Sequence, residues 1–180
     1  EPQAVITMIN ACMEKMSAAV QAEGGVVDKY VGDELMAVFG APVSRGDDAG
    51  RAVRAAVRIQ EGLVDLNEQR QAEGADPIGV GVNSGSAVAG NMGSSSRLNY
   101  TVLGETVNLA SRLCGMAPAG EIYLSEATAA EVNGTLPVEC IGAHELKGFS
   151  KACDVFRVNI KPAVDPGVRS GVIARVPAEK

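Results

Sequence analysis

The stretch Val26-Val27-Asp28-Lys29-Tyr30-Val31-Gly32-Asp33-Glu34-Leu35-Met36-Ala37-Val38-Phe39 holds two β-rich runs about a Gly-Asp pair, a pattern that reads as a hairpin. Upstream, Val5, Ile6, Ile9, Cys12, Met13, Met16 and Val20 recur at three- and four-residue spacing and describe one face of a helix. Gly24 and Gly25 stop it. Downstream, Gly40-Ala41-Pro42 ends the second strand, and Asp47 or Asp48 can cap a second helix whose apolar face runs Ala52, Val53, Ala56, Val57, Leu63 and Val64. A second hairpin is predicted for residues 78–83 and 87–90 about Ser84-Gly85, then a strand near Tyr100-Thr101-Val102. After Gly104 a helix turns Leu109, Leu113 and Met116 inward. A strand at 121–124, a short helix at 125–131 and strands near 138–141 and 154–158 complete the pattern. Helices interleaved with hairpins predict an α+β sandwich with helices on a mainly antiparallel sheet. Their order suits a ferredoxin-like fold entered after its first strand.

The chain has 180 residues, the size of a single domain with at most a short appendage. Residues 1–160 carry the periodic segments. Residues 161–180 mix Pro, Gly and scattered Val and Arg without a period and read as a tail or linker. Hydrophobic residues at 46% and charged residues at 21% argue against disorder, collagen and coiled coil. Sixteen basic residues against 22 acidic ones give a net charge of -6, which argues against a nucleic-acid partner, since neutralising phosphates needs a basic face. No apolar run approaches the roughly 18 residues of a membrane span. Four cysteines without a CxxC pair are expected to be reduced and mostly buried, in a cytoplasmic setting. With His144 as the single histidine, multi-His metal clusters and His-based triads are poor readings. Chemistry here would run on carboxylates, metals, Lys and Arg.

Three places could carry it. Asp33, at the hairpin turn beside a Gly, suits either a divalent cation or plain turn chemistry. Lys29 lies four residues earlier among apolar neighbours, where period-two alternation would put it on the face of Val27 and Val31, as a functional or a snorkelling edge-strand lysine. Asn108 and Arg112, spaced i,i+4 after Gly104, share one helix face and suit either an anion with charge spread over several oxygens or a solvated polar stripe. The loop Gly90-Asn91-Met92-Gly93 is expected to be a plain connection rather than a phosphate cradle.

Taken together, residues 27–40 resemble a signature hairpin of the class III nucleotidyl cyclase catalytic domain. The run Leu98-Asn99-Tyr100-Thr101-Val102-Leu103-Gly104-Glu105-Thr106-Val107-Asn108-Leu109-Ala110-Ser111-Arg112-Leu113 is similar to a second family motif. Between them, Gly79-Val80-Gly81-Val82-Asn83-Ser84-Gly85 and Gly90-Asn91-Met92-Gly93 match family segments in the expected order. The resemblance spans about Val5 to Val158.

It implies an adenylate cyclase, which makes 3′,5′-cyclic AMP and pyrophosphate from ATP by attack of the ribose 3′-OH on the α-phosphate, assisted by two Mg²⁺ or Mn²⁺ ions per site. By resemblance, Asp33 is one of two metal-binding aspartates, Arg112 stabilises the transition state and Asn108 orients the ribose. Lys29 and Thr101 match the base-reading pair, a Lys donating to adenine N1 and a Thr hydroxyl accepting from the adenine amino group. Thr101 stands where many members carry Asp, as in a subgroup often stimulated by bicarbonate. Lys147 resembles a lysine that reaches the triphosphate, with a solvated turn lysine as the alternative. The family pattern is a head-to-tail homodimer with sites at the interface. It also has a strand ending in the other metal aspartate before the first helix, and this first strand is missing from residues 1–180. The alternative reading is a catalytically incompetent nucleotide-binding or dimerisation module of the same fold.

Overall fold

The computed structural model describes residues 2–72, 78–94, 96–160 and 172–175. Helix α1 (Pro2–Ala22) is followed by the antiparallel strands β1 (Val26–Val31) and β2 (Glu34–Phe39). The two-residue connection needs a left-handed backbone at Gly32, whose φ is 64°, and glycine adopts it without a Cβ clash. Helix α2 (Asp48–Gly62) starts at Asp47, whose carboxylate accepts from the Gly50 N–H at 3.2 Å. The apolar face of this helix does not run on through Val64 as the spacing suggests. The helix ends with Leu63 as its C-cap, and α3 (Val64–Ala72) begins anew. Then come β3 (Val80–Ser84), β4 (Val88–Ser94), β5 (Arg97–Leu103), α4 (Glu105–Met116), β6 (Ile122–Ser125), α5 (Glu126–Val132), β7 (Val138–His144), β8 (Cys153–Val158) and β9 (Val172–Arg175).

Seven strands form one sheet in the order β1-β2-β9-β3-β6-β8-β7, and β4 and β5 form a separate ribbon. With the ribbon counted, antiparallel pairings outnumber parallel ones four to three among the described strands; the seven-stranded sheet itself is mixed, three of each, and the expected α+β sandwich of helices on a sheet is the fold. Strands β2 and β3 are the two halves of a split β-α-β unit, and β9 lies between them, parallel to both. Four residues of the stretch read as tail or linker thus belong to the sheet. The rest of 161–180 lies outside the described residues.

Strand alternation sorts the core into two layers. Leu35, Ala37 and Phe39 of β2, Val80 and Val82 of β3 and Ile122 and Leu124 of β6 face α1 and α2. On the other face Tyr123 meets Leu113 and Ala117, while Met36 and Val38 meet Val102 of the ribbon. Buried Asp48 anchors the start of α2 through Ser44 and Arg51. Burial opposes its ionisation, but those hydrogen bonds hold its carboxyl below the usual range.

The hairpin expected about Ser84-Gly85 does not form. Both edges of β3 are occupied, by β9 and β6, and the segment beyond it is tied to α4: Asn83 Nδ2 donates to Thr106 O at 2.8 Å and Thr106 Oγ1 donates to Ser86 O at 2.6 Å. Strand β4 therefore leaves the sheet and pairs with β5 instead. Gly90 to Gly93, expected as a connection, is part of β4.

No cysteine is in a disulfide among the described residues; Cys12 and Cys114 are buried, Cys140 exposed and Cys153 half-buried. No described helix is long and apolar enough to cross a membrane.

Helix α4 lies on β3 at Gly81, where a Cβ would come within 2.5 Å of Ala110 O and 2.8 Å of Cys114 Cα. Because the obstacle is backbone, Gly81→Ala should destabilise the fold by about 2–3 kcal/mol, read as a lower urea midpoint at unchanged m-value.

Candidate functional site

The local sequence of β1 places Lys29 differently from simple alternation. Val27 pairs with Ala37 and Lys29 with Met36, so Asp28 is an extra residue in a β-bulge. The bulge inverts the parity of the strand: Lys29 shares the face of Met36, towards the ribbon, while Val27 keeps to the α1 side. From there Lys29 Nζ donates to Thr101 Oγ1 of β5 at 2.7 Å. Thr101 Oγ1 in turn donates to Asp28 Oδ2 at 2.8 Å, and Lys29 Nζ lies 3.3 Å from the same oxygen. The structure thus joins the two expected base-reading residues, 72 positions apart, and adds a third that the sequence reading did not single out. The available signal was an acidic residue inside an otherwise β-rich run.

A second group gathers on the ribbon-side layer. Asn108 and Arg112 are exposed on one face of α4, and Arg112 Nε donates to Lys147 O at 3.1 Å. That bond ties α4 to the connection between β7 and β8 and brings Arg112 against the backbone of Lys147. Neither has a carboxylate within 4.0 Å among the described residues.

Asp33 stands apart from both groups. It occupies the β1–β2 turn, half-exposed, with Arg70 Nη2 of α3 at 3.9 Å from Oδ2. The nearly buried Arg70 guanidinium also lies against the Cys12 thiol of α1, which burial pushes up from its usual range. Hence Asp33 belongs to the α1 side of the hairpin edge. Arg112 is bonded instead to the connection between β7 and β8, on the ribbon-side layer of the sheet.

Among the described residues no group of three His, Cys, Asp or Glu is arranged to hold a metal. Asp33 is nevertheless a hard oxygen donor open to solvent. Such a carboxylate fits Mg²⁺ or Mn²⁺, which is held by one or two carboxylates with substrate phosphates and water completing the shell. An open cleft of about 440 Å³ lies between Thr106 and Leu109 of α4 and Phe149 and Asp154. None of the six residues named from the sequence lines it.

Comparisons with known proteins converge. The sequence profile of the adenylate and guanylate cyclase catalytic domain matches residues 1–159. Adenylate cyclase 1 of Rhizobium meliloti is 32% identical over 161 residues, covering 87% of this chain and 24% of that protein. The adenylate cyclase of Anabaena cylindrica is 33% identical over 124 residues, covering 64% of this chain and 23% of that protein. The chain therefore spans about a quarter of the length of these curated relatives. The crystal structure of the adenylyl cyclase CyaB from P. aeruginosa superposes with a TM-score of 0.76 at 31% identity, covering 89% of this chain and 85% of that one. That of the guanylyl cyclase Cya2 gives 0.77 at 30% identity, covering 88% and 81%. With an unbroken profile match, the two motifs in order and the same fold, this chain belongs to the adenylate and guanylate cyclase catalytic domain family, the class III nucleotidyl cyclases.

Proposed function

We propose that this domain cyclises ATP to 3′,5′-cyclic AMP and pyrophosphate, in a homodimer whose sites lie between two copies. The observation that carries the choice of base is the 2.7 Å bond from Lys29 to Thr101. It sets a donor beside a hydroxyl, where adenine N1 accepts and the adenine amino group donates; guanine reverses both positions. The relatives that this chain resembles include both an adenylyl and a guanylyl cyclase, so the proposal of ATP rests on this pair.

In the proposed reaction the ribose 3′ oxygen loses its proton to solvent and forms a bond to the α-phosphorus while the bond from that phosphorus to the bridging oxygen of pyrophosphate breaks. Arg112 meets the charge that grows on the α-phosphoryl oxygens, Asn108 holds the ribose, and Lys147 meets the triphosphate. Asp33 would hold Mg²⁺ or Mn²⁺, which when bound lowers the pKa of the attacking hydroxyl and neutralises phosphate charge. Asp33 pairs with Arg70 on the α1 side of the sheet and Arg112 with the Lys147 carbonyl on the ribbon side, an arrangement that supports a site built from Asp33 of one copy and Lys29, Thr101, Asn108, Arg112 and Lys147 of another. Exposed Val88, Met92 and Leu103 share one face of the ribbon and offer an apolar surface suited to burial against that second copy.

The full-length protein should form cyclic AMP from ATP with Mg²⁺ or Mn²⁺. Asp33→Ala should lower kcat at least 100-fold, and an unchanged rate would sink the metal role. Because Arg112 is exposed, Arg112→Ala should cost about 10²–10³ in kcat with unfolding free energy within about 0.5 kcal/mol of wild type. Lys29→Glu should cut kcat/KM for ATP about 100-fold without a matching fall in thermal midpoint; a large loss of midpoint would instead make Lys29 a structural residue. A folded dimer that binds ATP and yields no product would leave the non-catalytic module as the better reading.

A further inference from the structure

We infer that Asp28 is a positioning residue for base choice: by taking the only proton of the Thr101 hydroxyl, it leaves that oxygen able only to accept, as an amino group at purine position 6 requires. This rests on the proposed ATP-cyclising reading and deepens it. Asp28 is the unpaired residue of the β1 bulge, and its side chain is only 5% exposed. A bulge re-aims a side chain at the cost of a ladder position. Here it turns Asp28 and the following Lys29 onto the same hydroxyl.

The direction of each bond is forced by the chemistry of the partners. A carboxylate beside an ammonium has no proton to give, and an ammonium has no lone pair to receive one. The Thr101 proton therefore goes to Asp28 Oδ2 at 2.8 Å, and Lys29 donates to Thr101 Oγ1 at 2.7 Å. A free hydroxyl rotates to suit its ligand and would serve an amino group or a carbonyl alike. This one cannot, because it is 6% exposed and its proton is held by a charged acceptor, the stronger kind of hydrogen bond. What stays open is one lone pair on Thr101 and one N–H of Lys29. With Lys29 at N1 and Thr101 at position 6, adenine satisfies both, whereas guanine sets a carbonyl against the lone pair and an N–H against the ammonium.

The test measures kcat/KM for ATP and for GTP on the full-length protein as wild type, Asp28→Ala, Asp28→Asn, Thr101→Val and the double variant Asp28→Ala/Thr101→Val. Asp28→Ala should shrink the ATP-to-GTP ratio about tenfold, the size expected for one hydrogen bond. Asp28→Asn, which keeps an acceptor oxygen, should retain most of the preference. The double variant should show no smaller ratio than Thr101→Val alone, because Asp28 acts through that hydroxyl. An unchanged ratio in Asp28→Ala, or a further tenfold loss in the double variant, overturns the inference. If Asp28→Ala does not fold, Asp28→Leu fills the site without an acceptor and carries the same expectation. A wild type that cyclises neither nucleotide overturns the proposed activity alone. Displacement of N-methylanthraniloyl-ATP by ATP and by GTP then reads the same ratio. An equal preference in wild type and Asp28→Ala would overturn the role of Asp28.

Discussion

The close seating of α4 on β3 is the constraint from which the rest of the ribbon-side layer follows. Gly81 has no side chain, so the backbone of Ala110 and Cys114 can settle directly on the strand. That approach fixes the start of α4 beside the end of β3, where Asn83 and Ser86 bond to Thr106. With the end of β3 tied to α4, and with β9 and β6 on its two edges, β4 has no place in the sheet. It pairs with β5 as a ribbon that folds over β2 through Val102, Met36 and Val38. Thr101, one residue before Val102, is thereby delivered to Lys29. One glycine thus positions residues of both groups: Arg112 through the helix, Thr101 through the displaced ribbon.

Most of the fold was legible because the elements were periodic and punctuated. The face of α1, the Gly32-Asp33 turn and the cap at Asp47 are local signals, and each element they predict is present. What could not be read were the consequences of non-local competition. Nothing in residues 78–90 reveals that both edges of β3 will be occupied, and a glycine beside a serine between two β-rich runs reads as a hairpin. Likewise residues 172–175 form strand β9 although they lack enough length to show a period of their own.

The site divides the same way. Residue types identified Asp33, Lys29, Thr101, Asn108, Arg112 and Lys147 through motif resemblance, and the structure joins Lys29 to Thr101 and Arg112 to the backbone of Lys147. The orientation of Lys29 was not legible, because a single inserted residue inverts the parity of a strand. Period-two reading put Lys29 with Val27; the bulge at Asp28 separates them. The same bulge hid Asp28, whose role depends on a hydroxyl 73 residues away. Arg70 was hidden for a similar reason, since its partners Asp33 and Cys12 lie on two other elements.

Charge is distributed along the ribbon-side layer in a way that the net figure of -6 conceals. At the Thr101 end, the Lys29 ammonium is offset by Asp28, so the cluster is close to electroneutral and, in the proposed reading, would recognise a base by hydrogen-bond direction. At the other end, Arg112 and Lys147 have no carboxylate within 4.0 Å among the described residues, and their charge is left for an external anion. A nucleoside triphosphate has this same anatomy, a neutral base joined to a polyanionic tail. Cations left unpaired at the base end would attract any phosphate and blur the register, because Coulomb attraction is long-ranged and undirected. Neutralising Lys29 with Asp28 confines that attraction to the end where phosphate belongs. In the proposed reading, the carboxylate that sets the direction of the Thr101 hydroxyl would also set which way round the nucleotide lies.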